Sequence, residues 1–136
     1  NIGTKIMRIH ADTLESEVKK INMEITNLIT KEKVSPDSIS VLLLNGEYKE
    51  IYYNIFEGLP LPKAVKLQIE WVQGVNDVLI DTVKRYKGLE SEIVFLCGLD
   101  GSENGALDDL IYVGTSRAKS LLYIVGKERI CDSILS

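Results

Sequence analysis

Three short apolar runs decide what this chain can fold into. They are SISVLLL (Ser38 to Leu44), IVFLCGL (Ile93 to Leu99) and SLLYIVG (Ser120 to Gly126). None alternates polar with apolar, so none suits a strand with one wet face. Each has the length of a strand and needs cover on both faces, which a parallel sheet between helices provides. Val41, Val94 and Ile124, one in each run, are expected to be buried on both sides.

The rest of the chain alternates strand-like and helix-like segments. Ile6 to Ile9 reads as a short strand. Asp12, with Glu15 three residues on, has the spacing of a capping box. The helix that follows carries Leu14, Val18, Ile21, Ile25, Leu28 and Ile29 on one face. Pro36 disfavours helix at Ser35 and ends it. Asn45-Gly46 closes the first apolar run, and Glu47 to Phe56 reads as a short helix. Pro60 and Pro62 mark a loop. Lys66 to Val72 reads as a strand carrying the only tryptophan, Trp71, and Val78 to Val83 as another. Leu107 to Lys119 reads as a helix leading into the Ser120 strand, and Lys127 to Leu135 as a last helix. Strands alternating with helices predict an α/β fold with a mostly parallel sheet.

Length and charge narrow the function. A chain of 136 residues suits one domain with a real core. It begins with Asn1, so it reads as a piece of a larger protein. The net charge of −4 argues against a domain whose main task is to grip duplex DNA. Cys97 and Cys131 fit no metal or redox spacing, and Cys97 lies in an apolar run as a small core residue. Both point to a reducing cytoplasm. No stretch reads as a signal peptide or a membrane span. The lone histidine, His10, has no cysteine or histidine partners, so no metal site is expected.

Two stretches carry chemistry. KRYKGLESEIVFLCGLD, from Lys84, sets three cations and a Gly-Leu-Glu turn before a buried strand. LIYVGTSRAKSLLYIVG, from Leu110, ends a helix at Gly114-Thr115-Ser116-Arg117-Ala118 before another. Taken alone, Arg117 is a cation complementing a helix C-terminus, Glu90 a turn carboxylate beside Lys87, and Lys84 with Arg85 a solvated basic turn.

Taken together, they resemble the last two motifs of UvrD/Rep-like superfamily 1 helicases. Thr82, Lys87, Gly88, Leu89 and Glu90 match a Thr-x-His-x-x-Lys-Gly-Leu-Glu segment. Tyr112, Val113, Gly114, Arg117 and Ala118 match a Tyr-Val-Gly-x-Thr-Arg-Ala helix. The stretch DSISVLLLNGEYKE, Asp37 to Glu50, resembles the family's Asp-Ile-Ala-Val-Leu strand. The resemblance implies the second, C-terminal RecA-like domain of an ATP-dependent helicase or translocase. Such a domain shares an ATP and Mg2+ site with an N-terminal RecA-like domain of the same protein. It implies that Arg117 is a catalytic arginine finger on the γ-phosphate, and that Gly88 and Glu90 meet the nucleotide. Thr82, Lys84 and Lys87 would contact single-stranded nucleic acid, DNA before RNA, with Tyr86 available to stack on a base.

The sequence also departs from that pattern. Lys84 stands where the family has histidine. Lys49 and Glu50 stand near the place of a second arginine. The family's long inserted subdomain is absent between Leu59 and Val78. No P-loop is present: Gly126-Lys127 is followed by Glu128, and Leu121 holds the place of the first glycine. The chain alone is therefore expected not to hydrolyse ATP. Two other readings remain at this stage. One is a degenerate, non-catalytic module of the same fold that binds nucleic acid or protein. The other is an unrelated α/β enzyme, disfavoured because no nucleophile–base pair is evident.

Overall fold

A computed structural model of the chain describes residues 4–44, 46–68, 76–83, 90–99, 112 and 116–135. The described strands form one six-stranded sheet. They are β1 (Lys5–His10), β2 (Ile39–Leu43), β3 (Leu67–Gln68), β4 (Val78–Thr82), β5 (Ser91–Cys97) and β6 (Ala118–Gly126). Their order across the sheet is β1-β6-β5-β2-β4-β3, and every pairing is parallel. Among the described residues three helices flank it: α1 (Leu14–Thr30), α2 (Lys49–Glu57) and α3 (Glu128–Leu135).

The apolar runs lie where their composition demands. β2 is buried at every residue. Val41 and Val94 are 0 % exposed and Ile124 is 1 % exposed. One face of the sheet, with Val41, Phe95 and Tyr123, packs on Val18, Ile21 and Ile25 of α1 and on Tyr52 and Phe56 of α2. The other face, with Leu42, Val94, Leu96 and Ile124, packs on Cys131 and Ile130 of α3. Strands wet on neither face need no alternation, which is why the runs read as unbroken.

Local signals differ from expectation in three places. The cap of α1 is Thr13, not Asp12: its side chain accepts from the Ser16 N–H at 3.1 Å. The Asp12–Glu15 spacing matched the box one residue early. The helix before β6 does not reach Lys119, because Ala118 and Lys119 are already strand. Pairing decides this: Ala118 sits opposite Ser91, and its carbonyl accepts from Thr4 Oγ1 at 2.9 Å. The expected strand Lys66 to Val72 is β3, of two described residues, paired to the start of β4. Residues 69–75, with Trp71, lie outside the described residues.

One buried group was not anticipated. Glu17 lies on the apolar stripe of α1, three residues after Leu14 and four before Ile21, and is 4 % exposed. It accepts from the Tyr52 hydroxyl at 3.1 Å and from the Gly98 N–H at 3.3 Å. Gly98 has a φ of 66°, a left-handed backbone that a side chain would strain. Glu17 thus ties α1, α2 and the end of β5 together. It also adds to burial in pushing the Cys97 thiol well above its ordinary range, which makes that cysteine an inert core residue. Glu17→Ala leaves two buried donors without this acceptor and is expected to destabilise by about 2–4 kcal/mol. Glu17→Gln, which keeps an acceptor, should cost clearly less. Urea midpoints of the two variants check the order; equal midpoints would mean the carboxylate ties nothing.

Candidate functional site

Parallel strands put all their starts at one edge of the sheet and all their ends at the other. Ser91 pairs with Ala118. The residues immediately before them, Glu90 and Arg117, therefore stand side by side at the edge where β5 and β6 begin. Glu90 is exposed and forms an ion pair with Lys119 at 3.9 Å, both side chains 53 % exposed. At that exposure the pair contributes little to stability. Beside it, Ser120 Oγ donates to Glu92 Oε2 at 2.5 Å. The β5–β6 register shifts between Ser91 and Ile93, so the ladder is irregular just inside this edge.

Arg117 is the last helical residue before β6 and is half-buried. Its Nε is buried and has no hydrogen-bond partner among the described residues. A helix-end cation that merely answered the dipole would keep its guanidinium in water. A buried donor left unpaired costs free energy, and such groups in a folded protein call for a reason. The arrangement can present a planar cation, with a carboxylate on the neighbouring strand, to something that docks on this edge.

Thr82 ends β4 and lies at the opposite edge. Its N–H donates to Asp81 Oδ1 at 2.7 Å, and its side chain is half-buried. Val83 N–H donates to Leu43 O and Leu44 N–H to Cys97 O, which continues the sheet bonding past the strand ends here. Gly46 sits against Thr82: a Cβ at that glycine would come within 3.0 Å of Thr82 Cγ2. With a rise of about 3.3 Å per residue, a strand of β5's length sets the two edges roughly 20 Å apart. The structure thus brings Glu90 and Arg117 together and keeps Thr82 apart from both. Lys49 begins α2 just past the end of β2, so it too lies away from Arg117.

Gly88, Lys84 and Lys87, together with Arg85, Tyr86 and Leu89, lie outside the described residues. So do Val113, Gly114 and Thr115. His10 ends β1, and its carbonyl accepts from Lys20 Nζ. Both cysteines are free and buried. Among the described residues no group of three or more His, Cys, Asp or Glu side chains could hold a metal ion. Among them, too, no helix is long and apolar enough to cross a membrane.

Comparison with known proteins bears on these edges. Residues 77–125 match the sequence model of the UvrD-like helicase C-terminal domain. That span contains Thr82, Glu90 and Arg117, so the family read from the two motifs is found again over the same residues. A search of curated proteins gave no match. Among solved structures, the chain is similar to the C-terminal domain of a possible DNA helicase from Lactobacillus plantarum WCFS1. The TM-score is 0.66 at 13 % identity, over 92 % of this chain and 74 % of that one. At that identity the likeness speaks to the fold, which is α/β with a mostly parallel sheet flanked by helices.

Proposed function

We propose that the chain is the second motor domain of an ATP-dependent helicase or translocase acting on single-stranded nucleic acid, DNA before RNA. The observation that carries the reading is Arg117: a buried guanidinium nitrogen beside Glu90, unpartnered among the described residues, within the span that matches a helicase C-terminal domain. Phosphoryl transfer builds charge on the γ-phosphate oxygens. A planar fork supplied across a domain cleft stabilises that charge, and the Nε donor left open in this domain is suited to it.

In this reading Glu90, at the edge where the strands begin, meets the nucleotide together with Gly88. Thr82, Lys84 and Lys87 hold the strand's phosphates. Phosphate contacts position a strand without reading its sequence, which suits a motor. Thr82 and Glu90 stand at separate edges of one sheet, which would give the two ligands separate places. The P-loop and the carboxylates for Mg2+ belong to an N-terminal RecA-like domain of the same protein. We assign the protein to the cytoplasm, on the strength of two free, buried cysteines.

The test compares two proteins. The intact protein should hydrolyse ATP faster when single strand is added. The isolated 136-residue chain should show no hydrolysis above background, because it lacks a phosphate-cradling loop. Robust turnover by the isolated chain would mean that a complete site exists within it, and the shared-site reading would fall.

A further inference from the structure

We infer that β1 is a docking edge for a partner protein, which adds an extended apolar segment with acidic ends to the sheet as a further strand.

β1 is the outermost described strand on its side of the sheet. Its six residues pair with β6 without a register shift, from Lys5 opposite Leu121 to His10 opposite Gly126. Proteins blunt such an edge with a very short strand, a proline or a bulge, because open backbone groups invite another strand. β1 has none of the three. The Ala11 N–H donates to Gly126 O, so the same peptide link turns the His10 carbonyl away from β6. Backbone groups alternate along a strand, so Ile6 likewise turns its N–H and C=O outward. Lys20 Nζ takes the His10 carbonyl and closes that end of the edge. No described residue meets the outward backbone groups of Ile6.

The side chains along this edge are apolar on both faces. Ile6, Met7 and Met23 are three of the six large apolar or aromatic side chains exposed among the described residues, at 40 %, 38 % and 70 %. Met7 and Ile9 lie on the α1 face, opposite Tyr123 and Val125, and Ile6 lies on the other face, opposite Leu122. An open groove of about 790 Å3 runs between β1 and α1, with Met7, Ile9, Met23 and Tyr123 in its lining. An added strand sets alternate side chains into this groove and the others over Ile6, so it must be apolar on both faces, as β2 is. Unbranched methionines adapt to a range of such side chains.

Charge selects the strand. The chain has a net charge of −4, yet the charged lining of the groove is Arg8, Lys20 and Lys31 against Glu24. Lys5 stands on the same face of β1 as Met7. Glu24 already accepts from the Tyr123 hydroxyl at 2.6 Å, and Glu32 is a second carboxylate whose charge reaches Tyr123. Four cations against two carboxylates leave the strand and its groove net positive. A second copy of the chain paired edge to edge brings these cations against their own like, which costs free energy. A partner segment with Glu or Asp at its ends meets them with opposite charge. Strand addition of this kind takes its affinity from the main chain and its choice of partner from the side chains. The docking edge uses neither Glu90 nor Arg117, and it holds or fails apart from the helicase reading.

The test is binding of a fluorescent peptide, Glu-Glu-Val-Ile-Val-Ile-Val-Glu-Glu, to the intact protein, read by anisotropy beside hydrogen exchange of residues 5–10. Saturable binding and slowed exchange of the Ile6 amide are expected. The same peptide with lysine for every glutamate, or with proline for its central valine, should bind at least about tenfold more weakly. Ile6→Pro removes the outward N–H and spares the bonds to β6, so it should fold and weaken binding about tenfold or more. Met23→Glu, at an exposed helix position, should keep the melting temperature and weaken the acidic peptide as much; it decides the matter if Ile6→Pro does not fold. The proposal is overturned if the acidic peptide does not bind, or if either control peptide binds as well as it does. It is equally overturned if Met23→Glu, or a folded Ile6→Pro, binds as the parent does. Binding by the isolated 136-residue chain but not by the intact protein would mean that the edge is covered from within the same protein. A concentration-dependent dimer that Ile6→Pro abolishes would mean that the occupant is a second copy. Either result removes the partner protein.

Discussion

In the intact protein, Arg117→Ala should lower strand-stimulated ATP turnover about a thousandfold, the effect typical of a removed arginine finger. The variant should melt no lower than its parent, since among the described residues Arg117 Nε has no hydrogen bond to lose. Releasing an unpaired buried donor can even raise the melting temperature slightly. Arg117→Lys should fail nearly as badly, because a point charge does not reproduce a planar fork. Affinity for single strand in the absence of nucleotide should hold, because Thr82 lies at the other edge of the sheet. Steady-state turnover at saturating strand, beside a thermal melt, decides the matter. Normal turnover in Arg117→Ala would remove the finger assignment. Loss of the melting transition would make Arg117 a structural helix end.

The strands were legible because burial on both faces leaves a plain mark. A residue such as Val41 has apolar neighbours in sequence for the same reason that it has them in space. The stripe on α1 was legible through its period, and five of its six members are buried, with Leu14 packed at the margin. What escaped was set by partners distant in sequence. Nothing local tells Ala118 and Lys119 to be strand; Ser91 and Thr4 decide it from across the sheet. Glu17 did leave a signal, a carboxylate on an apolar stripe. Its partners, Tyr52 and Gly98, are 35 and 81 positions away, so the sequence offered no reason to expect it buried.

The candidate site was legible in a different way. Glu90 and Arg117 were singled out by motif spacing, and the sheet adds the reason they act together: each stands one residue before a strand in a parallel pair. Their separation from Thr82 follows from the same topology, since Thr82 ends a strand and they precede strands.

The largest expected effect on stability comes from the middle of β5. Phe95 is 0 % exposed, and its ring stacks on Tyr123 of β6 with centroids 4.3 Å apart and planes within 2°. Tyr123 in turn donates its hydroxyl to Glu24 of α1 at 2.6 Å, and burial with that bond pushes its ionisation far up. Phe95→Ala opens a cavity between the sheet and α1 and should cost about 3–5 kcal/mol. The lost aromatic pair adds about 1 kcal/mol. Against a typical total of about 5–15 kcal/mol, this removes a large share of the stability. At about 2–4 °C per kcal/mol, the melting temperature should fall by roughly 10–20 °C. Phe95→Leu, which keeps most of the volume, should cost far less. β5 also carries Glu90 at its start and pairs with β6 below Arg117, so a variant that stayed folded would keep both residues in place. Below its own melting range, Phe95→Ala in the intact protein should therefore retain most of its turnover, the reverse of Arg117→Ala. A Phe95→Ala variant that melts with its parent would mean that the sheet is not seated on α1 as described. One that stays folded yet loses turnover would mean that the edge at Glu90 and Arg117 depends on more than the strands that position it.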